Sequence, residues 1–396
     1  MMKRIAVTGF GIKVPGGENN SDFERHLLSG EYHFVTKSDL SPTGEPLLFG
    51  ELSGDLGELD GREHRTLPRF AKLAISTAAE AIALAQLPTA DLGDRVGVFF
   101  GTTMGGIISL EEMLHIIGNN DFRGLPVYCC GLVHNHTLAS AISSHFGLTG
   151  RTKTVTTGCT AGIEALEDAM MYLQSGTIDT AIVGASDSCN TKSTVYGFGK
   201  IRGLPFGQGP DAAGSPFNKR SKGFVLSEGA ATLILETEEH ALGRGANIYG
   251  YVDKVASNND GVSVNGQDTS GQRMKQAAAA VLDGRIPDYV NSQALGYESN
   301  DRIEDIVSRD LFRHEVPLTS IKGLTGHPFS ASGLAQLIAS LLGFRAAFVP
   351  RTIRTDQYGY EHLPVITAQM PLKNEEVLIT SHGYGGNNAC VYLMKD

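Results

Sequence analysis

The chain has 396 residues, 41% hydrophobic and 19% charged, enough to bury a full core in two or three lobes and too apolar for a disordered polymer. A formal net charge of −10 with no Lys/Arg run argues against nucleic acid as the main partner, since neutralising phosphates needs a basic face. No apolar stretch approaches the ~20 residues of a membrane helix, and five cysteines are too few for a disulfide framework, so a reduced, cytoplasmic protein is expected.

In chain order, Ile5–Phe10 reads as a buried strand between a charged start and Lys13, not as a signal peptide. Arg69 to Leu84 is helical by composition, and Val96–Phe100 is a strand running into Gly101-Thr-Thr-Met-Gly-Gly106. Thr152–Thr156 is β-branched and extended. After Gly158-Cys159, the recurrence of Ile163, Leu166, Met170 and Leu173 at helical spacing, with Glu164, Glu167 and Asp168 opposite, predicts a helix that stops near Gly176. Strands are expected at Ala181–Gly184, Ala230–Leu235 and Tyr249–Val255, a helix at Met274–Leu282, and a short strand at Tyr289–Asn291. Helices at Ile303–Phe312 and about Ser332–Leu342 follow, then strands at Val377–Thr380 and Cys390–Met394. Alternating β and α segments predict a layered α/β fold, and the absence of a Pro/Ser-rich linker predicts one shared core.

Three segments carry potential chemistry. In Thr156-Thr-Gly-Cys159-Thr-Ala-Gly162, a strand, tight turn and helix put Cys159 at a helix N-terminus. Free N–H groups there favour a thiolate, and small neighbours admit a substrate. A buried structural cysteine is the competing reading, and the other four cysteines, lacking this context, are expected in the core. Lys322 to Gly333 places His327 on a Gly-flanked loop with Lys322 five residues before it; alone, an ordinary loop His and surface Lys are the simpler reading. Gly383-Tyr-Gly-Gly-Asn-Asn388 reads as a lid, a source of a backbone donor, or a plain hairpin turn. Neither Gly9-Phe-Gly11 nor Gly101–Gly106 matches a dinucleotide or phosphate-binding fingerprint, and no CxxC or HExxH marks a metal site.

Taken in order, Val7–Gly11, Gly101–Gly106, Thr157–Gly162, Ser215–Gly229, Lys322…His327 and Gly383–Asn388 resemble the β-ketoacyl-acyl-carrier-protein synthases, the condensing enzymes of fatty acid and polyketide assembly. The resemblance implies a thiolase fold: two similar βαβ halves, here residues 1–247 and 248–396, in five α-β-α-β-α layers. It implies Cys159 as the nucleophile that takes an acyl chain from a carrier protein, with His327 as the second catalytic His and Lys322 as its companion. The loop of Tyr384 and Gly385 would gate the pocket and supply an oxyanion N–H beside that of Cys159. Arg62, Arg65 and Arg69 fall in the family's carrier-docking region.

The partners implied are an acyl carrier protein and a second ketosynthase-family subunit, identical or not. No cofactor or metal is implied, since the phosphopantetheine arm arrives with the carrier. The departures bear on activity. Gln293 falls where the family has its first catalytic His, Gln336 where it has a Glu, and Asn218 and Ser221 where it has an Asp and an Arg. A Gln amide donates a hydrogen bond but cannot act as a base. Three readings follow: a condensing enzyme using Gln293 as an amide donor, a non-elongating acyltransferase, or a chain-length-factor-like partner of an active ketosynthase. Retention of Cys159 weighs against the last.

Overall fold

The computed structural model describes residues 3–53, 56–61, 64–88, 93–372 and 375–396. Ten strands form one mixed sheet: β1 (Ile5–Lys13), β2 (Val96–Gly101), β3 (Arg151–Val155), β4 (Thr180–Asp187), β5 (Gly229–Thr237), β6 (Gly250–Asn259), β7 (Tyr289–Asn291), β8 (Leu318–Thr319), β9 (Glu376–His382) and β10 (Asn387–Met394). Their order is β8-β7-β9-β10-β6-β1-β5-β4-β2-β3. The strands of residues 5–237 lie on one side of the β1/β6 junction and those of 250–394 on the other. That junction is only Ile5, Ala6 and Val7 paired antiparallel with Val252, Tyr251 and Gly250. β2 runs parallel to β3 and β4, as β7 does to β8 and β9, while β5 and β10 are antiparallel to their neighbours.

Helices lie on both outer faces and between the two strand groups. On one outside, α1 (Arg69–Ala85) packs on β1, β5 and β4, beside α2 (Thr137–Phe146). Between the groups lies α3 (Ala161–Gln174), which touches β2 and β4 on one side and β6 and β10 on the other. On the far outside, α4 (Gln272–Leu282) covers β6 and β10 with α5 (Glu298–Phe312) beside it. The second central helix, α6 (Ser332–Ala346), reaches β1, β5 and β9. The layers are therefore α-β-α-β-α. α6 is buried on every side from Ser332 to Phe344, so it has no polar face to show. One hydrophobic cluster runs from Ile5 through Leu166 and Leu337 to Leu393, joining both strand groups.

Each predicted element is present with its ends moved by a few residues. The pattern missed several helices, among them Asn20–Ser29, Ile107–Gly118, Cys129–Val133 and Lys192–Lys200. The expectation of four core cysteines needs correction. Cys189 and Cys390 are buried, but Cys129 is half-buried and Cys130 exposed, because their short helix belongs to a surface excursion carrying exposed Phe122 and Val127. Among the described residues, no helix is long and apolar enough to cross a membrane.

The two central helices meet at their N-termini, and Gly162 sets how closely. A Cβ there would come within 2.5 Å of the Ser330 carbonyl oxygen. Gly162→Val should therefore lower unfolding stability by about 2 kcal/mol or more, read as a fall in the urea midpoint; an unchanged midpoint would show that the contact is slack.

Candidate active site

The close approach of α3 and α6 joins two segments far apart in sequence. Cys159 sits on a 3₁₀ turn, Gly158–Thr160, that runs straight into α3. His327 lies on the loop before α6, its backbone N–H donating to Val225 O at 2.8 Å. Cys159 Sγ is 3.2 Å from His327 Nε2. Buried Asp187 at the end of β4 ties the surrounding loops together. It accepts from Thr102 Oγ1 and the N–H groups of Thr103 and Met104, and from both N–H and Oγ of Ser330. Gly383, after β9, lies so near the nucleophile that a Cβ would meet Sγ at 2.9 Å, which requires glycine there.

Two cavities share Cys159 as a wall. One, of about 230 Å³, mixes polar walls, among them Asn265, Gln267, Ser299, Asn300, His327 and His382, with apolar ones such as Phe224 and Leu295. The other, of about 300 Å³, is lined by Met104, Gly197, Phe198, Ile201 and Phe329 with Thr103 and Thr194. Phe198, Ile201, Phe329 and Tyr384 border both. Phe329 is fully buried with φ 44°, a strained backbone for a bulky residue. Its ring lies 5.0 Å from that of His327. Tyr384 is partly exposed and donates its hydroxyl to Asn265 Oδ1 at 2.9 Å. Gly385, at φ 88°, turns the loop and accepts from Asn259 Nδ2.

The electrostatics correct one expectation. Burial, helped by Asp187, pushes the Cys159 thiol up to about 12, outweighing its own N–H, Lys322 and the Tyr384 N–H, all of which favour the thiolate. The helix-terminus effect exists but loses to desolvation. Burial also holds the His327 imidazole well below its ordinary range, with Lys322 and His382 adding to the effect. Both shifts favour a neutral thiol facing a neutral imidazole over the ion pair. His327 Nδ1 has no hydrogen-bond partner among the described residues.

Lys322 is buried and donates to Gln336 Oε1 at 2.8 Å. A neutral amide cannot offset the charge, and burial lowers the ammonium to about 7, against the opposing pull of Glu304 and Cys159. Gln293 is in the site wall, but not in the role first read for it. Its Nε2 donates to His382 O at 3.3 Å, its Oε1 accepts from Ser332 Oγ, and it lines neither cavity. Both ends of the amide are therefore committed. Arg69 is likewise committed, its Nε and Nη2 gripping buried Glu228 at 2.8 and 2.9 Å. Arg65 is exposed, and Arg62 lies outside the described residues. Asn218 and Ser221 are buried in turn hydrogen bonds with Ser215, Arg220 and Gly223. Among the described residues, the His/acid clusters His26-Glu31-His33 and Asp305-His314-His362 lie outside both cavities.

Sequence reasoning passed over His382, the last residue of β9. It is buried, lines the more polar cavity with Cys159 and His327, and lies 2.9 Å through Nε2 from Glu304 Oε1. A histidine closing a buried strand, one residue before the Gly-rich loop, was the available signal.

Two outcomes check these assignments. Alkylation of Cys159 by iodoacetamide should rise about tenfold per pH unit from 7 upward without levelling below pH 10; a plateau near neutrality would mean a lowered thiol pKa. For Lys322, between pH 7 and 10.5 the unfolded chain holds a proton that the folded one lacks, so folding stability climbs with pH across that window. Relative to Lys322→Met, the wild-type urea midpoint should therefore climb from pH 7 to 10; parallel curves would contradict a lowered ammonium.

The family model for the β-ketoacyl synthase N-terminal domain matches residues 2–241, and that for the C-terminal domain residues 249–356. A Streptomyces halstedii protein carrying the name polyketide beta-ketoacyl synthase 1 is 31% identical over 99% of this chain and 98% of its own. The 3-oxoacyl-acyl-carrier-protein synthase 2 of Synechocystis is 29% identical over 99% of this chain and 98% of its own. A solved ishigamide ketosynthase/chain length factor chain superposes with a TM-score of 0.89 at 23% identity, covering 100% of both chains, which fixes the fold as that of the thiolase-type ketosynthases. With a thiol–imidazole pair where the two central helices meet, and both domain models matched in order, the chain belongs to the β-ketoacyl synthase family, the condensing enzymes of fatty acid and polyketide synthesis.

Proposed function

We propose that this protein takes an acyl chain from an acyl carrier protein onto Cys159 and condenses it with a malonyl-type extender. The observation that carries the reading is the 3.2 Å approach of Cys159 Sγ to His327 Nε2 where the more polar cavity and the apolar one meet. The more polar cavity suits the amide-bearing phosphopantetheine arm, which comes as part of the substrate, and the apolar one suits the acyl chain.

In loading, the thiol gives its proton to His327 Nε2 as sulfur attacks the thioester carbonyl. The carbon–sulfur bond to the carrier breaks, and the departing carrier sulfur takes that proton. The N–H groups of Cys159 and Tyr384, which already favour negative charge at Sγ, are the oxyanion donors. A raised thiol pKa fits this order, because the proton leaves during attack and not before it.

Docking an acidic carrier on a net-acidic chain needs a local cation, and exposed Arg65 with neighbouring Arg62 supplies it. Arg69 has a structural role instead. β3, at the end of the sheet with Arg151, Thr152 and Lys153 exposed, is an open edge that a second ketosynthase-family subunit can pair, identical or in a heterodimer like the ishigamide complex. The setting proposed is the cytoplasm, where the five cysteines remain thiols.

Intact mass spectrometry after incubation with acyl-carrier protein should show one acyl adduct, abolished by Cys159→Ala and formed about 10²-fold more slowly in His327→Ala. Malonyl-carrier protein should then give carbon dioxide and a β-ketoacyl product. An adduct without carbon dioxide release would leave a non-elongating acyltransferase. No adduct at all would leave a chain-length-factor-like partner.

A further inference from the structure

We infer that His382 is the second catalytic imidazole of this site, taking over at the enolate the work for which the chain has no histidine at position 293. The inference rests on the condensing reading above. Gln293 is not placed for this work, because its amide is turned to His382 O and Ser332 Oγ in the wall and it lines neither cavity. His382 is placed to do it. Its Nε2 faces Glu304 Oε1 at 2.9 Å, and Glu304 is itself fixed by Thr380 Oγ1 at 2.8 Å and the Gln293 N–H at 3.1 Å. This is a carboxylate–imidazole pair held deep in the fold, with the ring orientation locked by the acid.

The other ring nitrogen turns toward the cavity. Nδ1 is 3.2 Å from Gln267 Oε1 and 3.5 Å from Asn300 Nδ2, and both amides line the cavity that reaches Cys159. Gln267 Nε2 donates to Asn300 Oδ1 at 2.8 Å, which leaves its Oε1 toward the ring. Nε2–H donates to Glu304, so donation from Nδ1 into the cavity uses the doubly protonated ring paired with that carboxylate, whereas a neutral ring would accept there from Asn300 Nδ2. An extender thioester carbonyl can take the place of the Gln267 oxygen and accept that hydrogen bond.

The step balances. The malonyl carbon–carboxylate bond breaks and carbon dioxide leaves. The electron pair becomes the enolate, its oxygen accepting from His382 Nδ1–H. The enolate carbon then attacks the acyl carbonyl on Cys159, a carbon–carbon bond forms and the carbon–sulfur bond breaks. Sulfur leaves as thiolate and takes a proton from solvent.

The test separates loading from decarboxylation in the full-length protein with acyl- and malonyl-carrier protein. His382→Gln, which keeps a donor but no imidazole, and His382→Phe combined with Glu304→Gln, which leaves no unpaired buried acid, are compared with wild type. The proposal expects decarboxylation in both variants to lose about tenfold or more beyond any loss of Cys159 acylation. It expects carbon dioxide release to fall about 10²-fold in the His382→Phe, Glu304→Gln variant and about tenfold in His382→Gln, whose amide keeps a donor. Decarboxylation within threefold of wild type would overturn it, as would equal loss of loading and decarboxylation in both variants, the mark of a merely structural residue. Wild type that loads but releases no carbon dioxide would overturn it while leaving Cys159 a nucleophile; wild type that does not load would sink the broader reading first.

Discussion

The site depends on the contact between two helix N-termini at the centre of the molecule. The segments that carry Cys159 and His327 are 168 residues apart and belong to opposite strand groups. They meet because α3 approaches the turn before α6 with no side chain at Gly162, and because Asp187 grips Ser330 on one side and the loop after β2 on the other. α6, buried all round, has nowhere to shift without exposing hydrocarbon. A 3.2 Å contact between thiol and imidazole is thus set by packing at the middle layer and not by local turn chemistry.

Burial, more than helix polarity, sets the protonation of the site. It raises the thiol, lowers the imidazole and pulls the ammonium of Lys322 down to about 7. Gln336 at the Lys322 head leaves that ammonium without a direct carboxylate, while Glu304 spends its contacts on Thr380, the Gln293 backbone and His382. Gln293 and His382 share a buried polar network with Glu304 and Thr380, and Gln336 ties Lys322 to it through Thr380 O. A buried acid without a partner is costly, and an imidazole at 382 is a physical answer to an amide at 293.

Much of this was legible in the residues. Ile163, Leu166, Met170 and Leu173 gave the helix behind the nucleophile, and Gly158-Cys159 gave the turn, because spacing and turn residues are local properties. The pairing of Cys159 with His327 came only through resemblance, since nothing in a sequence shows which loops meet across a sheet. The thiol's raised pKa was misread because helix polarity is visible in sequence and desolvation is not. Arg69 looked like a surface cation until Glu228, 159 residues away, was seen beneath it. His382 escaped because its meaning lies in Glu304, Gln267 and Asn300, three contacts that only the fold creates.

The wall of Phe198, Ile201, Phe329 and Tyr384 borders both cavities that end at the sulfur. In the proposed function the cavity that carries Asn265, Gln267 and Asn300 takes the carrier arm, and it has room for one arm at a time. On the proposed loading chemistry, the first carrier departs before the second enters, and turnover is ping-pong.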